Sequence, residues 1–119
     1  MYVAHRSTIA EKKISPLVTK QILISGEEGW DDHVMRLFTL EAGGAAPRHS
    51  HPWPHIIYVL EGEGNLFFEG KDHSLTSGSV AYVDAEGDHQ IANRGEGRFV
   101  FICIVPERGE QERGAAHHI

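Results

Sequence analysis

Residues 43–64 read GGAAPRHSHPWPHIIYVLEGEG, and the spacing of three histidines within them decides how the chain is to be understood. His49, His51 and His55 fall inside seven residues. In a strand, side chains alternate faces, so His49 and His51 project from the same side. A helix would pair His51 with His55 at i and i+4, as helical zinc motifs do. Pro52 and Pro54 stand between them. Neither is tolerated in a helix interior, because proline lacks the amide donor and clashes with the preceding turn. The Pro-Trp-Pro run therefore breaks one extended segment, and IIYVLEG resumes another with His55 at its start. Ordinary polar strand residues beside a proline-rich bend would be the bland account. Three crowded imidazoles gain nothing from such packing, whereas imidazole is a good ligand for zinc, copper, iron and nickel. A metal site is the expectation, with His89 as a further candidate downstream.

The same stretch resembles the first cupin motif, G-x5-H-x-H-x3-E-x6-G, with Gly43, His49, His51 and Gly62 at its spacings. His55 stands where that motif has glutamate. Gly78 to Asn93 is similar to the second motif, G-x5-P-x-G-x2-H-x3-N: Gly78, His89 and Asn93 fall in place. Asp84 replaces the usual proline and Glu86 the usual glycine, with Gly87 one place late. VMRLFTLEAGG followed by RHSHPW further resembles small bacterial single-domain cupins with four histidine ligands, some of which bind manganese.

This resemblance implies an all-β double-stranded β-helix, a jelly-roll relative, and one divalent transition metal per chain held by His49, His51, His55 and His89. It favours manganese or iron; zinc, nickel and copper remain open because ligand softness does not choose among them. Four neutral imidazoles leave the metal's +2 charge unbalanced, since the motif's glutamate is missing. An anionic extra ligand is therefore favoured. Six-coordination would leave two adjacent positions for water, substrate or dioxygen, suiting redox chemistry or polarisation of a carbonyl. The leading functional expectation is an oxygenase-type enzyme acting on a small anionic or enolisable organic molecule. The alternatives are a non-redox sugar or uronate isomerase or lyase, and a non-catalytic metal or ligand sensor. Cupins host all of these, and fold does not fix function. No Ser-His-Asp set, nucleophilic cysteine motif, phosphate loop or nucleotide fingerprint is present, and no general base is evident.

The remaining chain reads as scaffold. Apolar runs at 20–24, 33–41, 65–70, 79–83, 89–93 and 98–105, divided by glycine turns and lacking helical period, indicate a single all-β domain. It is expected over residues 15–106, after a loose or edge segment at 1–14 and before a polar, glycine-rich tail at 107–119 expected to be disordered. Arg36 sits between Val34 and Phe38 on one strand face, where a guanidinium needs an anionic partner, either a glutamate or the substrate. Ile57, which shares His55's parity, and Phe101 and Cys103 on the last strand are expected to line the pocket with it. For Cys103 the choice lies between a small buried hydrophobe and a reactive thiol. Trp53 and Phe38 read as packing; His5, His33, His73, His117 and His118 read as surface residues.

IIYVL and FVFICIV are apolar on both faces. Such strands need an outer cover, for which a homodimer is the expectation and the N-terminal segment the alternative. A lone cysteine and the absence of a signal-peptide core or spanning stretch fit a soluble cytoplasmic protein without membrane association. The net charge of −6 argues against a nucleic-acid partner, which would call for a basic face.

Overall fold

A computed structural model describes residues 1–111 of the 119. Nine strands form two antiparallel sheets: β1 (Lys12–Ser15), β2 (Val18–Ile24), β3 (His33–Leu40), β4 (His55–Glu61), β5 (Glu63–Phe68), β6 (Lys71–Thr76), β7 (Val80–Val83), β8 (His89–Asn93) and β9 (Phe99–Pro106). One sheet runs β1-β2-β3-β9-β4-β7 and the other β6-β5-β8. This is a jelly roll, in which consecutive strands cross between sheets so that two apolar faces enclose one core. Among the described residues, no helix is long and apolar enough to cross a membrane.

The crossings fall where glycine permits them. Only Gly62 separates β4 from β5, and its φ of +89° lies in the left-handed region. A Cβ there would come within 2.0 Å of the Arg98 carbonyl oxygen, so the position admits no side chain. Between β5 and β6, Glu69 and Gly70 both take positive φ, the two-residue turn whose twist suits a hairpin.

The core follows strand alternation. Val34, Arg36, Phe38 and Leu40 of β3 face inward beside Phe99, Phe101, Cys103 and Val105 of β9, and all eight are buried. Ile57 and Val59 of β4 complete the wall. The outer face of the large sheet divides in two. Over β2, β3 and β9, the N-terminal segment covers Leu37, Thr39 and Val100, and it is fastened by Gln21 Nε2, which donates to the carbonyls of Arg6 (2.7 Å) and Ile9 (2.9 Å). Over β4 and β7 no described residue gives such cover: Ile56, Tyr58, Val80 and Tyr82 are exposed, the last two at 72% and 62%.

The expected tail requires a correction in its first turn. Residues Glu107–Gln111 form a short helix, α1, rather than an unstructured segment. The reason is tertiary, since ERGEQ has no apolar periodicity. Glu107 N–H donates to the Asp32 carbonyl (3.0 Å), Arg108 Nη2 to the Pro52 carbonyl (3.2 Å), and Gly109 lies against the Trp53 indole. The rest of the expected tail lies outside the described residues.

Candidate metal centre

The histidine segment is irregular backbone held to β8 by main-chain bonds. His49 and His89 exchange N–H···O bonds of 2.9 and 2.8 Å, and Ala46 N–H donates to the Ile91 carbonyl. Asn93, the last residue of the second motif, acts as a fastener: its Nδ2 donates to the carbonyls of Leu40 (2.9 Å) and Gly97 (2.7 Å). A chain bend at Pro52 and Trp53 then delivers His55 to the first position of β4.

His51, His55 and His89 converge. They are 3%, 2% and 8% exposed, and one ring nitrogen from each lies within 4.8 Å of the others. Their ring centroids are 5.0–5.1 Å apart. His49 is half-buried, with its ring 5.4 Å from that of His51, and it falls outside the mutually close trio.

The donor set fits a divalent transition metal. His89 Nδ1 lies 2.9 Å from the Gly87 carbonyl oxygen. A carbonyl only accepts, so Nδ1 carries the proton and Nε2 keeps its lone pair for a ligand role. The Nε2 atoms of His51 and His55 are fully buried, and that of His49 is buried as well. A close group of buried imidazoles suits zinc, copper, iron or nickel, each ring offering a lone pair in its neutral form.

Several residues set these rings. Trp53 stacks on His51 with centroids 5.1 Å apart and planes 2° from parallel. Gly87 has no room for a side chain, because a Cβ would come within 2.1 Å of the Phe68 ring; the β7–β8 turn thus stays close enough to offer its carbonyl to His89. Arg48 binds both carboxylate oxygens of Asp88, with Nε at 3.0 and 2.9 Å, so the residues preceding His49 and His89 are themselves paired. This hydrogen bond holds the Asp88 carboxyl below its usual range.

The expected pocket residues are all interior. Arg36, 1% exposed, donates from Nη2 to the Cys103 sulfur (3.0 Å) and from Nε to the Cys103 carbonyl (3.4 Å). Its anionic partner in the protein is Glu110 of α1, with Oε1 at 3.4 Å from Nη1. Cys103 Sγ also lies 3.3 Å from His55 Nδ1. Burial pushes the Cys103 thiol above its ordinary pKa, with the Arg36 guanidinium opposing that shift only in part. Cys103 therefore packs as a neutral thiol rather than an activated thiolate. Ile57 and Phe101 are buried beside it. Trp53 packs in the core as expected, though its stack on His51 was readable only from its parity with that residue, whereas Glu110 lies 74 residues from Arg36 and carries no local signal.

The Cupin domain family model (Cupin_2) matches residues 36–105, from Arg36 in β3 to Val105 in β9. An oxalate-binding protein of Thermotoga maritima is 32% identical over 74 residues, 59% of this chain and 61% of that protein's length. Among solved structures, a predicted oxalate decarboxylase from Thermotoga maritima superposes with a TM-score of 0.80 at 26% identity, covering 88% of this chain and 98% of the other. The polyketide cyclase RemF from Streptomyces resistomycificus gives a TM-score of 0.81 at 25% identity, covering 89% and 79%. With more than half its length matched to the family, and with both motifs folded around one histidine cluster, the chain belongs to the cupin family.

Proposed function

We propose that this cupin binds one divalent transition metal, manganese or iron in preference to zinc, nickel or copper, through His51, His55 and His89, with His49 as the fourth ligand. The observation that carries the reading is the meeting of three buried imidazoles within 4.8 Å. For His49 the support is its backbone pairing with His89 and its buried Nε2. A bound metal would supply Lewis acidity or redox capacity to a coordinated molecule. The chain's own residues hold the rings, keep Nε2 of His89 unprotonated and exclude water with Trp53, Ile57 and Phe101.

The substrate class is a small anionic or enolisable organic molecule, with a carboxylate as the simplest case. The likeness to an oxalate-binding protein and to a predicted oxalate decarboxylase supports this, as does the lack of a carboxylate among the proposed ligands. The reaction assigned to the site is oxygenase-type, because among the described residues the nucleophilic group seen beside the histidines is the Cys103 thiol, which burial keeps neutral. A non-redox conversion is the second reading, favoured by the similarity to a polyketide cyclase. An oxygen electrode separates the two. The metal-loaded chain, supplied with small keto acids and dicarboxylates, should take up dioxygen, and His51→Ala should abolish uptake. Substrate conversion at an undiminished rate without dioxygen would assign the non-redox reading, and metal-dependent binding without turnover a sensor.

The exposed stripe of Ile56, Tyr58, Val80 and Tyr82 supports a homodimer built on β4 and β7. Light scattering at micromolar concentration should give twice the 13.2 kDa chain mass, falling to the monomer mass in Val80→Lys/Tyr82→Glu. A monomeric parent would overturn it.

A further inference from the structure

Strand β3 turns Val34, Phe38 and Leu40 into the barrel, and Arg36 goes with them. A guanidinium in such a place is costly unless it is paired. Lys20 reaches the same spot from β2, where it pairs in register with Phe38 while Ile22 pairs with Arg36. The two cations converge on one carboxylate: Glu110 Oε2 accepts from Lys20 Nζ at 2.6 Å, and Oε1 lies 3.4 Å from Arg36 Nη1. Glu110 is the most exposed of the three side chains, at 23% against 13% for Lys20 and 2% for Arg36, and it sits on a helix of five residues.

The pairing is also joined to the histidine cluster. Arg36 Nη2 and His55 Nδ1 meet on one atom, the Cys103 sulfur, at 3.0 and 3.3 Å. The same α1 covers the cluster from outside, because Gly109 rests on the Trp53 indole and Trp53 stacks on His51. One short helix thus both shields His51 and supplies the carboxylate that Arg36 and Lys20 hold.

We infer that Arg36 and Lys20 form an anion subsite in the barrel, that the Glu110 carboxylate occupies it in the resting chain, and that a small organic acid binds by exchanging its own carboxylate for that of Glu110. This rests on the reading of the histidine cluster as a site for small anionic ligands, and it adds Arg36 and Lys20 as the pair of cations that the carboxylate of such an acid meets. Exchange of like for like keeps both cations paired throughout, so the charge arrangement of the barrel is conserved.

The test is calorimetric titration of oxalate, with acetate as the single-carboxylate comparison, into metal-loaded and metal-stripped protein. Glu110→Gln removes the competitor while keeping its shape. It should bind oxalate about tenfold more tightly than the parent with unchanged metal content, and oxalate should raise its Tm by more than the parent's. Lys20→Met should weaken oxalate binding, and combining it with Glu110→Gln should cancel most of the gain. If Glu110 only neutralises Arg36, Glu110→Gln lowers Tm and gains no affinity, which overturns the subsite while metal-dependent binding by the parent stands. A tenfold gain that persists in stripped protein keeps the subsite and removes the metal from anion binding. No oxalate binding in any form overturns the subsite.

Discussion

The indole of Trp53 lies flat on the imidazole of His51, with ring centroids 5.1 Å apart and planes 2° from parallel. Two residues separated by a single proline therefore present one continuous wall, of which one half is a candidate ligand and the other is 5% exposed packing surface. Removing the indole leaves a cavity and frees the imidazole to turn. We expect Trp53→Ala to cost about 3–5 kcal/mol of stability, the usual range for a buried large aromatic. Metal affinity should fall by about tenfold, the lower end of what supporting residues contribute. Trp53→Phe should recover most of both. Denaturant unfolding and competition with a chromophoric chelator measure the two separately, and a Trp53→Ala protein with unchanged affinity would make the stack incidental to the site.

A second expectation concerns the turn between β7 and β8. Glu86 occupies the position where the second cupin motif has glycine, and its φ of +68° is the left-handed conformation that glycine adopts freely. Its N–H donates to the His51 carbonyl, so the turn is tied to the histidine segment. The strain of a Cβ in this region is on the order of 1 kcal/mol. Glu86→Gly should therefore stabilise the folded chain by up to about 1 kcal/mol, less the greater entropy of an unfolded glycine. Thermal unfolding checks it; a lowered Tm would show that the Glu86 side chain contributes more than its backbone costs.

Much of this arrangement was legible from residue order alone. Strand positions followed from apolar runs and glycine turns, and β8 and the core of β9 fell where HQIAN and FVFICIV placed them. The proline argument put His55 at the start of a strand, where it lies. Residues 1–14 read as loose or edge without a definite strand, because KKIS has one apolar residue; β1 lies at the edge of its sheet and pairs only with β2. α1 was missed for a related reason: its helix is held by Asp32, Pro52 and Trp53, none of them near in sequence. The two-faced strands required an outer cover, and the structure divides it. The N-terminal segment shields Val100 and Leu37, while Tyr58 and Tyr82 stay exposed. No periodicity distinguishes those two halves.

A third expectation concerns acid. Arg48 and Asp88 link the residues just before His49 and His89, and the hydrogen bond from Arg48 holds the Asp88 carboxyl below its ordinary value. A folded pKa below the unfolded one means that the pair contributes stability above the unfolded carboxylate pKa, about 4. That contribution is lost as pH falls through the lower, folded value. Asp88→Asn should therefore be less stable than the parent at pH 7, with the difference beginning to shrink near about pH 4 and gone only below the lower, folded value. The Asp88 side chain is only partly exposed but its Arg48 partner is open to solvent, so the effect should be small and reduced by salt. Parallel unfolding curves between pH 3 and pH 7 test this, and a difference that grew on acidification would contradict it.

The central claim is that His51, His55 and His89 are brought together to hold a metal. Elemental analysis of the chain purified without added metal, then reloaded and desalted, tests it most directly. The parent and His73→Ala, a change on the exposed face of β6, should each carry one divalent transition metal per chain, while His51→Ala should carry far less. A parent that takes up no metal, or a His51→Ala protein that keeps a full equivalent, would contradict the account.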